Sequence, residues 1–198
     1  VSRSAEDVQK VEALIGNLPI LSEVTEANRS AIEAALTAYN ALSEEERKQV
    51  DEDTGDKSSQ SYGRDLETAV WGLEALKGVD NSTSLADGTY SAATTPALSS
   101  TYSKGKSNSS RQKPWSLKEV KVENGKAFAT VTVESTSYTQ IRTNGAAYPK
   151  TNTSGNSEFA NVPVDLNGTM YLAATSSSMN GEIAFTVTNT IKEPTVVP

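Results

Sequence analysis

Apolar residues in the first part of the chain recur every three or four positions, which is the period of an amphipathic helix. Three stripes follow this period: Val8, Val11, Leu14 and Ile15; Ile32, Leu36, Tyr39 and Leu42; and Leu66, Val70, Leu73 and Leu76. The sequence Ser43-Glu44-Glu45-Glu46 is a capping box, and it predicts a further short helix through Val50. Helices of this length bury their apolar stripes against one another, so this half predicts an antiparallel helical bundle.

The composition changes over residues 78–88, and beyond this segment the apolar period becomes two. Asn-Gly pairs at 124–125 and 144–145 separate alternating runs and predict two-residue hairpin turns. In the run AFATVTV, alternation places Phe128, Thr130 and Thr132 on one face and the residues between and around them on the other, namely Ala127, Ala129, Val131 and Val133. Seven or eight short strands with turn residues between them are typical of an immunoglobulin-like β-sandwich.

The two patterns predict an α+β protein in two segregated domains. We expect an antiparallel helical bundle over residues 1–80, acting as a spacer, and an antiparallel immunoglobulin-like β-sandwich over residues 86–191. Residues 192–198, KEPTVVP, are interpreted as a Pro-rich tether. The chain begins with Val1 and shows no leader, so we expect a processed or excised piece of an exported protein. No run approaches the roughly 20 apolar residues of a membrane span, and no membrane insertion is expected.

Composition limits the chemistry that is open to the chain. The net charge is −7 and the pI is about 4.8, which argues against nucleic acid or anionic lipid as a partner. There is no cysteine and no histidine, which excludes thiolate chemistry, imidazole metal ligands and a Ser-His-Asp triad. The scattered carboxylates match no catalytic motif. We therefore expect a protein that is not an enzyme and that holds no metal and no cofactor.

Aromatic residues near serines and asparagines are the candidates for binding. Tyr102, Trp115, Tyr138 and Tyr171 lie in or beside predicted strands or next to the Ser-rich segment STYSKGKSNSSRQK. Exposed rings beside hydroxyl and amide groups can stack on a sugar or a flat ligand while the polar groups form hydrogen bonds. The alternative, that Trp115 and Tyr171 belong to the core, stays open at this point.

Several short motifs follow one another through the β half: Asp87-Gly88-Thr89-Tyr90, the serines Ser107, Ser109 and Ser110, Lys113-Pro114, and Val120 to Lys126. In this order and spacing they resemble the NEAT (near-transporter) domains of Gram-positive surface proteins, and the resemblance covers about residues 86–191. It implies an immunoglobulin-type sandwich that carries haem or another small flat ligand. Residues 99–113 and the hairpin before the last strand would then form the two jaws.

The chain departs from that family at the iron ligand. Haem-binding NEAT domains carry a Tyr-x-x-x-Tyr pair that leads into the final strand, whereas this sequence has Gly181-x-x-x-Phe185 there. The resemblance makes Phe185 a candidate for stacking and Met179 a candidate for reaching iron, but it offers no axial phenolate. The candidate ligand-binding residues are therefore Tyr102, Ser107, Ser109, Ser110, Trp115, Tyr138, Tyr171, Met179 and Phe185.

The helical half resembles small modules of Firmicute cell-surface proteins, which usually act as spacers. The matching positions are Leu18-Pro19, Val24-Thr25, Ile32, Ala38-Tyr39, Ala41-Leu42 and Val50. We therefore expect a monomeric, extracellular fragment from a Gram-positive bacterium. The favoured function is a non-enzymatic binding or adhesion module for an extracellular ligand, with a host or cell-wall component as the partner. The alternatives are a NEAT-type carrier of haem or another small flat ligand, and a structural stalk.

Overall fold

A computed structural model describes residues 3–55, 60–91, 93–97, 115–176 and 183–190 of the 198-residue chain. These residues form four α-helices and two antiparallel sheets, which confirms the α+β class. They fall into two compact units, one made of the helical residues through Glu74 and one that begins at Ala75 and contains the sheets. The first is called the helical unit below, and the second is called the β unit.

Capping boxes stand at the start of α3 and of the 3₁₀ turn that precedes α2. Ser43 and Glu46 form the predicted capping box: the Ser43 amide donates to Glu46 Oε1 at 2.9 Å, and the Glu46 amide donates to Ser43 Oγ at 3.2 Å. The Thr25 amide donates to Asn28 Oδ1 at 2.8 Å, at a 3₁₀ turn over Glu26–Asn28. The helices are α1 Arg3–Gly16, α2 Arg29–Asn40, α3 Glu44–Glu52 and α4 Tyr62–Glu74.

Most residues of the predicted stripes are buried in the core of the helical unit. Leu36 is half-buried, and Leu76 lies half-buried beyond α4, in the β unit. Val8, Val11 and Ile15 are each 3% exposed or less. Leu14 was expected in the same stripe, and this expectation is wrong because Leu14 is 42% exposed. Successive residues are about 100° apart around a helix, so Leu14 lies about 100° from Ile15 and points past the edge of the buried face.

Gly72 permits a close contact between α4 and Val24 in this core. Gly72 on α4 is buried, and a Cβ built there would lie 2.6 Å from Val24 Cγ2 and 2.7 Å from Val24 Cβ. Val24 itself is fully buried. Only a residue without a side chain leaves room for Val24 at this point.

The β unit contains nine strands among the described residues. The strands Gly88–Tyr90 (β1) and Ala93–Ala97 (β2) are close in sequence but belong to different sheets. The four-stranded sheet has the order β1-β3-β4-β7, and the five-stranded sheet has the order β2-β9-β8-β5-β6. The strands are β1 Gly88–Tyr90, β2 Ala93–Ala97, β3 Trp115–Glu123, β4 Lys126–Val133, β5 Tyr138–Thr143, β6 Ala146–Pro149, β7 Glu158–Pro163, β8 Thr169–Ser176 and β9 Ile183–Thr190.

The hairpin turns and the alternation in β4 are as predicted. Asn124 and Gly125 have φ values of 51° and 74°, and Asn144 and Gly145 have φ values of 54° and 68°. Positive φ at both central residues is the requirement of a two-residue type I′ turn. The alternate residues of β4 from Ala127 to Val133 are buried, each 3% exposed or less.

The edge strands of both sheets are short or contain a proline, which hinders pairing with a further strand. Among the described strands, the outer ones are β1 and β7 in one sheet and β2 and β6 in the other. β1 has three residues, and the other three edge strands each contain a proline, namely Pro96, Pro149 and Pro163. A proline has no backbone N–H to offer to another strand, and a very short strand offers few hydrogen-bonding groups.

None of the described helices is long and apolar enough to cross a membrane.

Candidate functional site

Two of the motifs that carry the sequence resemblance meet in the four-stranded sheet. β1 contains Gly88-Thr89-Tyr90 and pairs with β3 in the register Gly88 with Val122, Thr89 with Lys121 and Tyr90 with Val120. More than 25 residues separate the two motifs along the chain. The structure therefore brings the DGTY and KVENGK segments together as neighbouring strands.

Side chains at the ends of β1 strengthen this pairing. Asp87 Oδ1 accepts a hydrogen bond of 2.9 Å from the Asn124 amide, in the turn between β3 and β4. Tyr90 is 4% exposed, and its hydroxyl donates to the Ala86 carbonyl oxygen at 2.6 Å. Asp87 thus ties β1 to the next hairpin, and Tyr90 anchors the segment that precedes β1 in the core.

The structure describes only some of the predicted binding residues. Tyr102, Ser107, Ser109, Ser110 and Met179 lie outside the described residues, as do all of residues 99–113. For Trp115 in β3 and Phe185 in β9, the structure describes the backbone and its strand pairing. Trp115 pairs with Val133, which is 1% exposed, and Phe185 pairs with Leu172, which is also 1% exposed.

Tyr138 lies in the core of the β unit. It is 3% exposed, and burial raises the pKa of its hydroxyl. Strict alternation along β5 would place Tyr138 and Ile141 on opposite faces, but the register shifts between Tyr138 and Gln140. This bulge places Tyr138 on the buried face with Ile141, so its ring does not form part of an exposed platform.

Tyr171 is the candidate whose ring the structure describes as partly exposed. It lies on β8 next to buried Leu172, so alternation places it on the opposite face of the five-stranded sheet. Lys77 Nζ lies 5.7 Å from the centre of the Tyr171 ring, within the range of a cation–π contact. The pair combines an aromatic surface with a positive charge.

Phe128 is an aromatic residue that the candidate set omitted. The pairs Thr89 with Lys121, Lys121 with Phe128 and Phe128 with Pro163 form one row across the four-stranded sheet. Phe128 is partly exposed on the face opposite the buried residues of β4. The signal that could have identified it is an aromatic residue at a position where alternation predicts polar side chains.

Two lysines of β3 lie close to glutamate side chains of the same sheet. Lys118 Nζ lies 3.0 Å from Glu158 Oε1, and Lys121 Nζ lies 3.9 Å from Glu123 Oε2. Exposed pairs of this kind contribute little to stability. In the described part of the chain, no group of three or more acidic side chains is placed to hold a metal ion.

The chain was compared with known proteins. No protein-family model matches it, and no curated protein matches it. Among solved structures, it is similar to a mutant IsdX2-NEAT5 domain in complex with heme, with 20% sequence identity and a TM-score of 0.37. The similarity covers 57% of this chain and 100% of that one. A TM-score of this size supports no inference about what the chain binds.

Proposed function

We propose that the β unit is a non-enzymatic, extracellular ligand-binding module of the NEAT type and that the helical unit serves as its spacer on a Gram-positive cell surface. In this proposal the two sheets pack face to face as an immunoglobulin-like sandwich. The ligand is a small flat molecule rather than a substrate that is transformed. The absence of histidine and cysteine from the whole sequence supports a binding role, because the usual neutral-pH base and the thiol nucleophile are both missing.

The pairing of β1 with β3 carries this proposal. The resemblance to NEAT domains depends on DGTY and KVENGK occurring in a set order, although each motif alone is common. Their placement on adjacent strands, with Asp87 bonded to the Asn124 amide, gives the order a structural reason. A chance match of two short motifs would not require them to be neighbours.

The proposed mode of binding follows from the missing iron-ligating tyrosine before the final strand. By this resemblance, Gly181 stands where the family has its iron-ligating tyrosine and Phe185 where it has the second tyrosine, so a porphyrin would gain stacking and burial without an iron–phenolate bond. Haem should therefore bind no better than an iron-free porphyrin. A carrier of this kind recognises the flat shape of the porphyrin ring rather than the iron that the ring holds.

A paired titration tests this proposal. The full chain is titrated with haemin and, separately, with protoporphyrin IX, and binding is followed by quenching of the two tryptophans and by the porphyrin absorption band. We expect the two dissociation constants to agree within about threefold, because no iron–ligand bond distinguishes them. We also expect no spectrum of tyrosine-ligated ferric iron.

Two other outcomes would redirect the proposal. A tight haemin complex with a tyrosine-ligated spectrum would contradict the ligand-free mode, and Tyr138→Phe and Tyr171→Phe would then show which hydroxyl is used. Absence of binding to both porphyrins would remove the carrier and leave the adhesion module, which recognises a host or cell-wall component.

The proposed location has its own test. Intact cells that express the full-length protein are treated with an external protease and then fractionated. We expect the β unit to be released from the cell surface. Recovery of the intact protein from the cytosol would rule out an extracellular role.

A further inference from the structure

The segment Ala75–Asp87 begins directly after α4 and is bonded to the β unit near its start. The Gly145 amide donates to the Ala75 carbonyl oxygen at 3.0 Å. The Val79 amide donates to Asn144 Oδ1 at 2.8 Å. Both bonds are made to the Asn144-Gly145 turn, which joins β5 and β6 of the five-stranded sheet.

The second half of the same segment is bonded to the other hairpin. The Ala127 amide donates to the Asn81 carbonyl oxygen at 2.8 Å, and Asn81 Nδ2 donates to the Ala127 carbonyl oxygen at 3.0 Å. The Thr83 amide donates to the Gly125 carbonyl oxygen at 3.0 Å, and Ser82 forms a β-bridge with Lys126. These contacts lie at the Asn124-Gly125 turn, which joins β3 and β4 of the four-stranded sheet.

The segment also holds its own shape between the two turns. Asp80 Oδ1 accepts hydrogen bonds from the Ser82 hydroxyl at 2.6 Å and from the Ser82 amide at 3.1 Å. These bonds lower the pKa of the Asp80 carboxyl. The Leu85 amide donates to Thr83 Oγ1 at 3.2 Å. Such local bonds limit the freedom of a polar segment that would otherwise be a flexible loop.

We propose that Ala75–Asp87 is a strap that couples the Asn144-Gly145 turn of one sheet to the Asn124-Gly125 turn of the other. Val79 and Thr83 are four residues apart, so an extended chain between them spans about 14 Å at most. Over this distance one segment holds hairpins from both sheets. Loosening the strap at one turn therefore loosens its hold on the other turn.

Amide hydrogen exchange of the full chain measures this coupling. In the unaltered protein we expect the amides of Val79, Thr83, Ala127 and Gly145 to exchange far more slowly than in an unstructured peptide. Exchange of Val79 and Thr83 at unstructured rates would overturn the strap.

Two glycine variants separate the strap from the turns themselves. Asn144→Gly keeps the positive φ of its turn but deletes the oxygen that accepts from Val79. Asn124→Gly is the matched control, because Asn124 has the same backbone conformation and contacts the strap through its backbone amide, which glycine retains. We expect Asn144→Gly to lower protection at Val79 about five- to tenfold, the effect of one lost hydrogen bond.

The decisive readout is the far end of the strap. Coupling requires that Asn144→Gly also lower protection at Thr83, while Asn124→Gly leaves Val79 unchanged. An effect confined to Val79, or equal effects of the two variants, would overturn the proposal. Asn81→Ala gives a second test from the middle of the strap, since it removes the Nδ2 donor and should lower protection at Val79 and Thr83 together.

Discussion

Replacing Gly72 by alanine adds one methyl group at a tightly packed point in the core of the helical unit. The new Cβ would lie 2.6 Å from Val24 Cγ2, 2.7 Å from Val24 Cβ and 3.1 Å from Val24 Cγ1. Carbon atoms in contact normally lie about 3.5–4.0 Å apart, so either α4 or the Val24 segment must move. The nearest atoms include Val24 Cβ, which cannot turn away by a change of rotamer.

Two effects of opposite sign decide the magnitude. Alanine in a helix interior is favoured over glycine by about 1 kcal/mol, because glycine loses more backbone freedom on folding. Overpacking a filled core costs about 1–3 kcal/mol, and contact with a rigid Cβ places this case in the upper part of that range. We expect Gly72→Ala to lower the free energy of unfolding of the helical unit by about 1–2 kcal/mol.

Urea unfolding followed by far-ultraviolet circular dichroism reports on the helices, and linear extrapolation gives the free energy. Gly16→Ala is the matched control, because Gly16 is the last residue of α1 and a Cβ there would lie 3.9 Å from Tyr62 Cε1, an ordinary contact distance. This control should leave stability unchanged or raise it by up to about 1 kcal/mol.

A double-mutant cycle shows whether Val24 is the cause. Val24→Ala alone should cost about 2 kcal/mol, through two lost methyl groups and the cavity that they leave. Combined with Gly72→Ala, the new methyl group occupies part of that cavity, so the two changes should couple favourably by about 1–2 kcal/mol. A stabilising Gly72→Ala, or strict additivity of the two changes, would refute this reasoning.

The remaining predictions concern buried polar groups. The pKa of Glu12 is raised from 4.5 to about 7. The main cause is burial, and the hydrogen bond to Asp53 and the charge of Asp53 add to it. The folded state therefore keeps a proton that the unfolded chain releases, so this stabilisation is complete below about pH 4.5 and is lost as the pH rises through about 7. Glu12→Gln should therefore weaken the decrease of the melting temperature between about pH 5 and about pH 8. An unaltered decrease over this range would contradict the assignment. Thr143 is 1% exposed and its hydroxyl has no hydrogen-bond partner among the described residues, so Thr143→Val should leave stability unchanged or raise it by about 1 kcal/mol. Ser157 Oγ donates to the Tyr138 carbonyl oxygen at 2.7 Å in the core, so Ser157→Ala should cost about 1–2 kcal/mol, and equal effects of the two changes in urea titrations would contradict this contrast.

Local signals in the sequence predicted much of the fold. The Ser43–Glu46 capping box and the two Asn-Gly turns depend on residues within four positions of one another, so their chemistry can be read directly from the chain. Alternation in β4 is similarly local, because each residue reports on its own face. Leu14 was misplaced because it lies at the edge of a stripe, where helical period alone does not separate core from surface.

Long-range contacts explain what could not be predicted. The polar composition of residues 78–88 suggested a boundary between domains, yet Asn81 bonds to Ala127 and Val79 bonds to Asn144, across more than 45 residues of sequence. Tyr138 appeared available for binding until the bulge in β5 placed it in the core. Phe128 was on the correct face in the sequence pattern, but only the sheet register shows that Lys121 and Pro163 are its neighbours.

The short or proline-containing edge strands have a consequence for how copies of this chain behave at high local concentration. Each described edge strand either has three residues or contains a proline, which lies inside β2 (Pro96) or at the end of β6 (Pro149) and β7 (Pro163). A neighbouring copy that approaches one of these edges therefore finds fewer backbone N–H donors with which to continue the sheet. Edge-to-edge growth into a shared filament is disfavoured at these strands even when many copies stand side by side, and so is recognition of a partner by strand addition.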